Sequence, residues 1–328
     1  MKRTKNATSA QIAEYIIRIF PDKSSKITII RDIDVLLMTG KITKSGRGRA
    51  TVYTVAIDIN DYFALDPDKR PLKSEYYNFN VWNDLDDLFN LTELAKLDAL
   101  NAIYRKNRAA MTPVALHREL ERLTIEFSWK SSKIEGNTYT LLDTERLIKE
   151  NIEAAGKKRN EAIMILNHKK ALDFVFSKPE FFANITLAKI EDLHKLLTAE
   201  LEVRNGIRQS RVGIIGTNYR PLDNAQQIRE ALFMLTDKIN SIAHPIAKAL
   251  VAVLMISYIQ PFEDGNKRTA RLLGNAILLA HNYCPLSYRS ADEIEYKKSV
   301  ILFYEQNDFA YFKTIFAGQF EQTVKKYF

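Results

Sequence analysis

One stretch of the sequence combines residue types that can hold a phosphate-bearing ligand. A short segment, Pro261 to Gly265, separates two apolar runs of helical length and leads into a helix that carries Arg268 and Arg271. These arginines are three positions apart, so they project from one helix face and can grip phosphate oxygens as a fork. A glycine at 265 lets the backbone approach an anion at the helix N-terminus. The stretch therefore predicts an anion site.

A carboxylate beside this glycine adds a candidate metal ligand. Asp264 directly precedes Gly265, and Mg²⁺ in nucleotide sites usually takes one or two carboxylates together with waters and substrate phosphates. The residues indicate a magnesium–nucleotide site. An ordinary helix–loop–helix turn with surface charges would have a similar composition, and the residue types alone leave both interpretations open.

Residues 260–271, which read QPFEDGNKRTAR, resemble the signature of Fic-domain proteins, His-Pro-Phe-x-Asp/Glu-Gly-Asn-Gly/Lys-Arg-x-x-Arg. Every signature position matches except the first, where Gln260 replaces the histidine. The resemblance implies transfer of AMP from ATP to a Ser, Thr or Tyr hydroxyl of a target protein, with Arg268 in a catalytic role. It implies that Mg²⁺ binds Asp264. It also implies that the phosphates of ATP contact Gly265, Asn266, Lys267, Arg268 and Arg271.

The departure at Gln260 affects the residue that serves as general base in the family. Imidazole titrates near neutral pH and can remove the proton of the target hydroxyl, whereas a glutamine amide cannot. General-base catalysis contributes roughly 10²–10⁴-fold. His244 lies 16 residues upstream, about 24 Å away along a helix, and His281 lies beyond the next helix, so we expect neither to replace the base. The sequence predicts nucleotide binding with strongly impaired transfer, and impaired removal of AMP as well.

A second motif with a family resemblance lies well upstream of the first. Residues 131–136 read SSKIEG and are similar to the inhibitory motif Ser/Thr-x-x-x-Glu-Gly/Asn of Fic proteins. In relatives the glutamate pairs with the second signature arginine and blocks productive binding of the γ-phosphate. The resemblance implies that Glu135 pairs with Arg271, with Ser131 and Gly136 completing the motif. A carboxylate on the guanidinium competes with phosphate for the same donors.

A glycine-containing segment at 205–221 is the strongest β-like stretch outside the N-terminal region. It predicts a β-hairpin whose glycines permit close backbone approach. In Fic proteins the corresponding flap covers the nucleotide and aligns the target peptide by main-chain pairing. The resemblance implies that target docking involves Val212, Ile214, Gly216 and Tyr219. Two histidines within amphipathic helices, His168 and His194, are interpreted as structural.

The N-terminal residues predict a small winged helix-turn-helix. One helix is expected from Thr8 or Ser9 to about Phe20, and a second one after Ser24-Ser25. A Gly- and Arg-rich hairpin and a strand up to Val55 follow. The second helix is predicted to bury one stripe, made of Ile27, Ile30, Ile33 and Leu37.

The positive charge of the chain is concentrated in this N-terminal segment. The whole chain carries a net charge of +8, and residues 1–56 hold 11 Lys and Arg against four Asp and Glu. This charge favours duplex DNA as a partner, with Arg31 on the second helix and Arg47 and Arg49 in the wing as candidate contacts. A protein-binding or purely structural winged helix is the alternative.

The predicted fold class is mainly α: a Fic-type helical bundle with a β-hairpin flap, preceded by a small winged-helix α+β domain. The chain of 328 residues exceeds a typical single domain. We predict a winged-helix domain at 1–57, a linker and helical lead-in at 58–125, and a Fic domain at 126–328. The last of these includes the inhibitory helix (131–137), the flap (205–221) and the signature loop (260–271).

Composition adds expectations about location and partners. A lone Cys284 excludes an internal disulfide framework and fits a reducing compartment. The sequence has no apolar run of membrane-spanning length and does not begin with an apolar signal core. We therefore expect a cytoplasmic protein with no membrane association. Its target protein is not identified by the sequence, and a homo-oligomer is left open.

Two hypotheses about function follow, and both include ATP and Mg²⁺. The first is an autoinhibited protein adenylyltransferase whose activity is impaired by Gln260. The second is a non-catalytic ATP-binding regulator coupled to a DNA-binding winged helix. A weaker third interpretation, transfer of phosphate to a protein, is disfavoured by Gly265 and the complete Arg271 end of the signature.

Overall fold

The computed structural model of the chain is mainly helical, as predicted. It divides into two compact units, one formed by residues up to Arg70 with 82–84, the other by 71–81 with 85–328. The boundaries predicted from the sequence remain predictions. The structure describes residues 6–20, 25–38, 41–46, 48, 51–55, 57–86 and 88–328.

The first unit contains an antiparallel sheet of three strands in the order β1-β3-β2. These strands are β1 (Asn6–Ala7), β2 (Ile42–Ser45) and β3 (Val52–Val55). Its helices are α1 (Ser9–Ile19), α2 (Lys26–Met38) and α3 (Ile59–Ala64). Helix α1 begins where the sequence predicted, because the hydroxyl of Thr8 accepts a hydrogen bond from the N–H of Gln11 in a capping box.

The buried stripe of α2 differs from the prediction. Ile29 and Ile33 are buried against Ala13 of α1, and Leu37 packs on the same cluster. Ile27 and Ile30 were predicted to be buried, but they are 81% and 46% exposed. The stripe consists of positions 29, 33 and 37, so the prediction was right for Ile33 and Leu37 and wrong for Ile27 and Ile30.

The DNA contacts predicted for this unit remain predictions. Arg31 is exposed on α2, while Arg47 and Arg49 lie outside the described residues. The exposed surface of α2 also includes the apolar side chains of Ile27 and Met38, which are 81% and 80% exposed. Apolar side chains of this kind do not supply phosphate contacts, so the structure adds no argument for duplex DNA.

Helices make up most of the second unit. They are α4 (Leu91–Ala110), α5 (Pro113–Ile134), α6 (Leu141–Glu150), α7 (Arg159–Ser177), α8 (Leu187–Thr198), α9 (Ala225–Ser241), α10 (Pro245–Ile259), α11 (Asn266–Ala280), α12 (Glu293–Gln306) and α13 (Ala310–Tyr327).

Helices α10 and α11 form the centre of the second unit. All residues from Lys248 to Gln260 are buried, and so are those from Asn266 to Leu279 apart from Lys267. Helix α10 is apolar on all sides because other helices surround it. Among the described residues, no helix is both long and apolar enough to cross a membrane. Polar side chains on such buried helices need partners inside the protein.

Gly274 of α11 sets how closely these two helices approach. A Cβ atom at this position would lie 2.7 Å from Cγ2 of Val253 on α10, well inside van der Waals contact. Val253 is buried and short, so it has little freedom to move aside. The missing side chain therefore positions α11, and with it the two signature arginines, against α10.

The hairpin predicted over residues 205–221 is not formed in the structure. This segment is an irregular loop without strands, and one isolated parallel bridge joins Arg220 to Tyr76. Gly206 and Gly216 adopt left-handed φ angles of 81° and 85°, which glycine allows at no steric cost. Ile215 is 98% exposed and Val212 and Ile214 are only half-buried, so these β-prone side chains share no fully buried face that would stabilise pairing.

We expect Gly274→Ala to lower the free energy of unfolding by about 1–3 kcal/mol, because the added methyl group overpacks the α10–α11 contact. Gly318→Ala is the matched control, since nothing lies within 4 Å of a Cβ atom at this position in α13. That change should raise the free energy of unfolding by about 0.5–1 kcal/mol. Urea denaturation measures both; equal effects in the two variants would contradict this account of Gly274.

Candidate functional site

The signature loop reverses the chain between two buried helices by means of two left-handed residues. Gln260 caps the C-terminus of α10 with φ 51°, and Gly265 caps the N-terminus of α11 with φ 80°. A Cβ atom on Gly265 would lie 3.0 Å from Cγ2 of Thr198 on α8. Glycine is therefore required at this position both for its backbone angle and for space. Without a capping side chain, the first turn of α11 presents its N–H groups to the loop.

Asn266 was predicted to contact phosphate, but the structure uses its side chain to close the loop. Its Oδ1 accepts a hydrogen bond from the N–H of Phe262 at 2.8 Å, and its Nδ2 donates to the carbonyl of the same residue at 2.8 Å. The side chain is buried. Asn266 can therefore meet an anion through its backbone N–H, while its amide holds the loop in shape.

His194 of α8 supports the loop from the other side. Its Nε2 donates a hydrogen bond to the carbonyl of Asp264 at 2.9 Å, and its ring stacks on Phe262 with 3.8 Å between centroids. Burial lowers the pKa of His194, and the nearby Arg268 adds to this effect. A neutral ring that donates through Nε2 fits this arrangement. The sequence identified His194 as structural, but its contact with the loop could not be foreseen.

Asp264 is the predicted metal ligand, and its carboxylate is mostly open to solvent. Its side chain is 71% exposed, with Oδ2 3.2 Å from Arg268. Its Oδ1 accepts the N–H of Gly265 at 2.6 Å. Within the described ranges, no group of three or more His, Cys, Asp or Glu side chains could hold a metal ion. The carboxylate fits Mg²⁺ that takes its other ligands from phosphates and water.

The two signature arginines are both buried in α11. Arg268 donates to Asp264 and lies 3.4 Å from the carbonyl of Leu197, and it is 2% exposed. Arg271 is fully buried and donates to Ser131 twice, from Nε to the hydroxyl at 3.0 Å and from NH2 to the carbonyl at 2.8 Å. A buried guanidinium needs such acceptors, because its desolvation is costly.

Glu135 lies beside Arg271, as the resemblance implied. It caps the C-terminus of α5, and Gly136 follows with φ 98°. Glu135 Oε1 is 2.9 Å from Arg271 NH1, and its Oε2 is 3.9 Å from Nζ of Lys267. The contact with Arg271 is an ion pair whose angles fall short of a hydrogen bond.

The electrostatics of this pair favour the charged forms of both partners. Burial works to raise the pKa of Glu135, but the charges of Arg271 and Lys267 outweigh it and hold the pKa below its usual range. Burial works to lower the pKa of Arg271, and the carboxylate of Glu135 raises it on balance. The acid therefore stays ionised at neutral pH, opposite a permanently charged guanidinium.

A buried histidine completes this cluster. His168 of α7 has its Nε2 2.9 Å from the hydroxyl of Ser131 and its Nδ1 2.9 Å from the carbonyl of Met164. The sequence identified His168 as a structural residue of a helix. Its link to Ser131, and through Ser131 to Arg271, depends on the packing of α7 on α5 and α11 and has no signal in the local sequence.

Gln260 directs its amide back to the helix that it caps. Its Nε2 donates to the carbonyl of Ser257 at 2.6 Å, and its own carbonyl accepts a hydrogen bond from Nε of Arg208 at 2.7 Å. The side chain is 7% exposed. Gln260 therefore satisfies the end of α10, and a group that already donates to a carbonyl is not arranged to receive a proton.

Arg208 is a residue whose role the sequence did not reveal. Beside its contact with Gln260, it donates to the carbonyls of Ser210 and Leu222, and its N–H binds the carbonyl of Pro261. One buried guanidinium thus joins both ends of the 205–221 segment to the signature loop. Because the same stretch also holds Arg211 and Arg220, the local sequence did not single out Arg208.

The four predicted docking residues occupy different environments. Val212 and Ile214 are half-buried and Gly216 is exposed. Tyr219 is buried; its hydroxyl donates to the carbonyl of Tyr258 at 2.8 Å, and the two rings stack at 4.6 Å. Tyr219 therefore anchors the flap segment in the core and is not available as a docking side chain.

The buried His168 should make stability depend on pH. Burial, with a smaller effect from the charges of Arg268 and Arg271, lowers its pKa to about 3. The unfolded chain titrates near 6.5. Between these values only the unfolded chain binds the proton. The contribution of the neutral His168 to the free energy of unfolding is therefore complete above about pH 6.5 and is lost as the pH falls toward 3.

The parent chain should lose unfolding free energy as the pH falls from 7.5 to 5. In His168→Gln we expect this loss to be smaller by about 2 kcal/mol, because the histidine that takes up the proton is absent. Chemical denaturation at both pH values measures this difference. His117→Gln, at an exposed position of α5, is the control and should leave the pH dependence of the parent chain in place. An unchanged pH dependence in the His168 variant would contradict the buried, neutral ring.

Known proteins resemble this chain in sequence. Residues 184–278 match the model of the Fic/DOC family. A protein of Drosophila grimshawi named protein adenylyltransferase Fic is 31% identical over 212 residues, which are 63% of this chain and 42% of that protein. The protein of the same name from Drosophila melanogaster is 30% identical over 195 residues, or 58% and 38%. This chain spans about two fifths of the length of these relatives.

Solved structures show the same fold. Fic-1 (aa134–508) from C. elegans superimposes with a TM-score of 0.61 at 22% identity, covering 72% of this chain and 70% of that one. A Fic domain containing signaling protein from Bacteroides thetaiotaomicron has a TM-score of 0.59 at 20% identity, covering 71% and 94%. The likeness in fold agrees with the sequence match. Residues 184–278 therefore match the Fic/DOC family in sequence, and the chain resembles Fic proteins in fold.

Proposed function

We propose that this chain binds Mg-ATP at the signature loop and is built to transfer AMP to a hydroxyl of a target protein. Transfer is restrained at two points, by Glu135 at the phosphate end and by Gln260 at the base position. The observation that carries the proposal is the 2.9 Å approach of Glu135 to Arg271. A carboxylate there stands where the arginine would meet a phosphate, and relatives named protein adenylyltransferase support the reaction class.

Three features of the chain support nucleotide binding. The first turn of α11 offers N–H groups and a positive dipole end to an anion. Arg268 and Arg271 line the same helix and are held in place by buried contacts. Asp264 would hold Mg²⁺, which supplies charge neutralisation on the phosphates. Positioning and neutralisation of this kind account for most of the catalysis in phosphoryl transfer.

The reaction itself has one step that this chain does not support. The target hydroxyl oxygen would bond to the α-phosphorus of ATP, the bond to the β-phosphate oxygen would break, and pyrophosphate would leave. The hydroxyl proton must pass to a base. Gln260 already donates its amide to Ser257 and cannot accept that proton at neutral pH. We therefore expect transfer to be slower by roughly 10²–10⁴-fold than with an imidazole at this position.

Glu135 restrains the site by a different route. As long as its carboxylate faces Arg271, a γ-phosphate would meet a like charge, so ATP must displace the acid before it can bind productively. Because the pKa of Glu135 is below its usual range, protonation does not release it near neutral pH. The restraint should therefore act throughout the physiological pH range.

We expect label from α-labelled ATP to appear on protein only when both restraints are removed. The variants are the parent chain, Glu135→Gly, and Glu135→Gly with Gln260→His, assayed in lysate and on the chain itself. Gln260→His alone is the matched control and should show no label, because Glu135 still faces Arg271. Label with Glu135→Gly alone would mean that Gln260 is tolerated. ATP bound without label in any variant would favour the non-catalytic ATP-binding regulator.

We expect Glu135→Gln to tighten ATP binding by about 10-fold, because removal of a repulsion of about 1.4 kcal/mol between the carboxylate and the γ-phosphate changes the dissociation constant by that factor. Calorimetry at pH 6, 7 and 8 should give the same ratio to the parent, since Glu135 is ionised at all three values. Glu150→Gln, an exposed acid on α6, is the control and should bind ATP like the parent. A ratio that vanishes at pH 6 would overturn the assignment of an ionised Glu135.

A further inference from the structure

We infer that His168 is a positioning residue of the nucleotide site, which acts through the Ser131 hydroxyl on the orientation of Arg271. The inference rests on the proposed function for the identity of the ligand. It extends that function to a side chain on α7 that belongs to neither motif. His168 does not touch the predicted position of the nucleotide, so any effect on binding must pass through the residues between them.

The hydrogen bonds from His168 to Arg271 have only one consistent direction. The carbonyl of Met164 can only accept, so Nδ1 of His168, at 2.9 Å, carries the proton. In a neutral ring Nε2 is then an acceptor, and it takes the hydroxyl proton of Ser131 at 2.9 Å. Ser131 has no second proton, so its oxygen presents a lone pair to Nε of Arg271 at 3.0 Å.

The environment of the ring favours this protonation state. His168 is fully buried, beneath Phe127 with 5.8 Å between ring centroids. Two buried arginines, 268 and 271, oppose a positive charge on it. A protonated ring would turn Nε2 into a donor, and the hydroxyl proton of Ser131 would then lose its acceptor on His168. The neutral tautomer is the form that supports the contact with Arg271.

Ser131 holds two of the three guanidinium nitrogens of Arg271. The hydroxyl binds Nε and the carbonyl binds NH2, which leaves NH1 toward Glu135. The Glu135 contact lacks hydrogen-bond alignment, whereas the two Ser131 contacts are well formed. The guanidinium should therefore stay in place when Glu135 withdraws, with NH1 presented to the incoming phosphate.

The role of His168 is to fix the rotation of the Ser131 hydroxyl. A serine inside a helix readily donates to the carbonyl one turn earlier on its own helix. His168 competes for that proton and turns the oxygen toward Arg271. An apolar side chain could fill the same volume, but the Ser131 hydroxyl would then be free to donate to its own helix. The loss should correspond to one neutral hydrogen bond, about 5-fold in affinity.

The test compares ATP and AMP binding by calorimetry with the full chain in the Glu135→Gly background. With His168→Leu we expect ATP to bind about 5-fold more weakly and AMP to bind as before, because AMP lacks the phosphates that Arg271 would hold. With His168→Gln, which can keep an acceptor near the Nε2 position, ATP affinity should return to near the Glu135→Gly value. Unchanged ATP affinity in His168→Leu, or an equal loss for both nucleotides, would overturn the inference.

A crystal structure of each His168 variant separates this inference from the proposed function. Failure of the Glu135→Gly chain to bind ATP would defeat the proposed function, and the position of Arg271 would still decide the role of His168. We expect the contact between Arg271 Nε and the Ser131 hydroxyl to be lost in His168→Leu and kept in His168→Gln. The same contact in both variants would show that Ser131 needs no help from His168.

Discussion

The buried charge of Arg271 is the constraint on which the rest of the site depends. A guanidinium with no exposure to water must be compensated inside the protein, and the chain meets this requirement with two residues at the end of α5. Ser131 supplies two acceptors and Glu135 supplies the opposite charge. Removal of the acid alone would leave a buried cation without its counter-charge, which a phosphate can replace. The carboxylate of Glu135 and a bound phosphate are thus two alternative counter-charges for the same buried guanidinium.

The signature loop, which precedes α11, is also held by several contacts, and the residues that make them come from distant parts of the chain. Asn266 closes it from within, His194 holds the carbonyl of Asp264, and Arg208 binds the carbonyl of Gln260. Each contact satisfies a buried polar group that would otherwise be costly. The loop is therefore formed before any ligand arrives, and binding energy is not needed to order it.

The sequence predicted what is encoded in contiguous residues and missed what arises from packing. Both motifs, the helix start at Thr8 and the mainly helical fold were readable because they depend on local residue patterns. The links of His168, His194 and Arg208 to the site were not, since each joins helices or loops far apart in the chain. The exposed Ile27 and Ile30, on the same helix as the correctly predicted Ile33, show that apolar character alone does not decide which face of a helix is buried. The unformed hairpin shows that β-prone residues do not pair without a buried face to stabilise them.

The position of Glu135 at the very end of α5 has a consequence for how the site would be switched. Glu135 is the residue that caps α5, whereas Ser131, one turn earlier, lies within the regular helix. The competing carboxylate is therefore at the end of α5 and is tethered to the same chain as the site it blocks. A tethered competitor has a fixed effective concentration, so dilution of the protein would not release it. The set point of such a switch would depend on the concentration of the free nucleotide and on the stability of one helical turn.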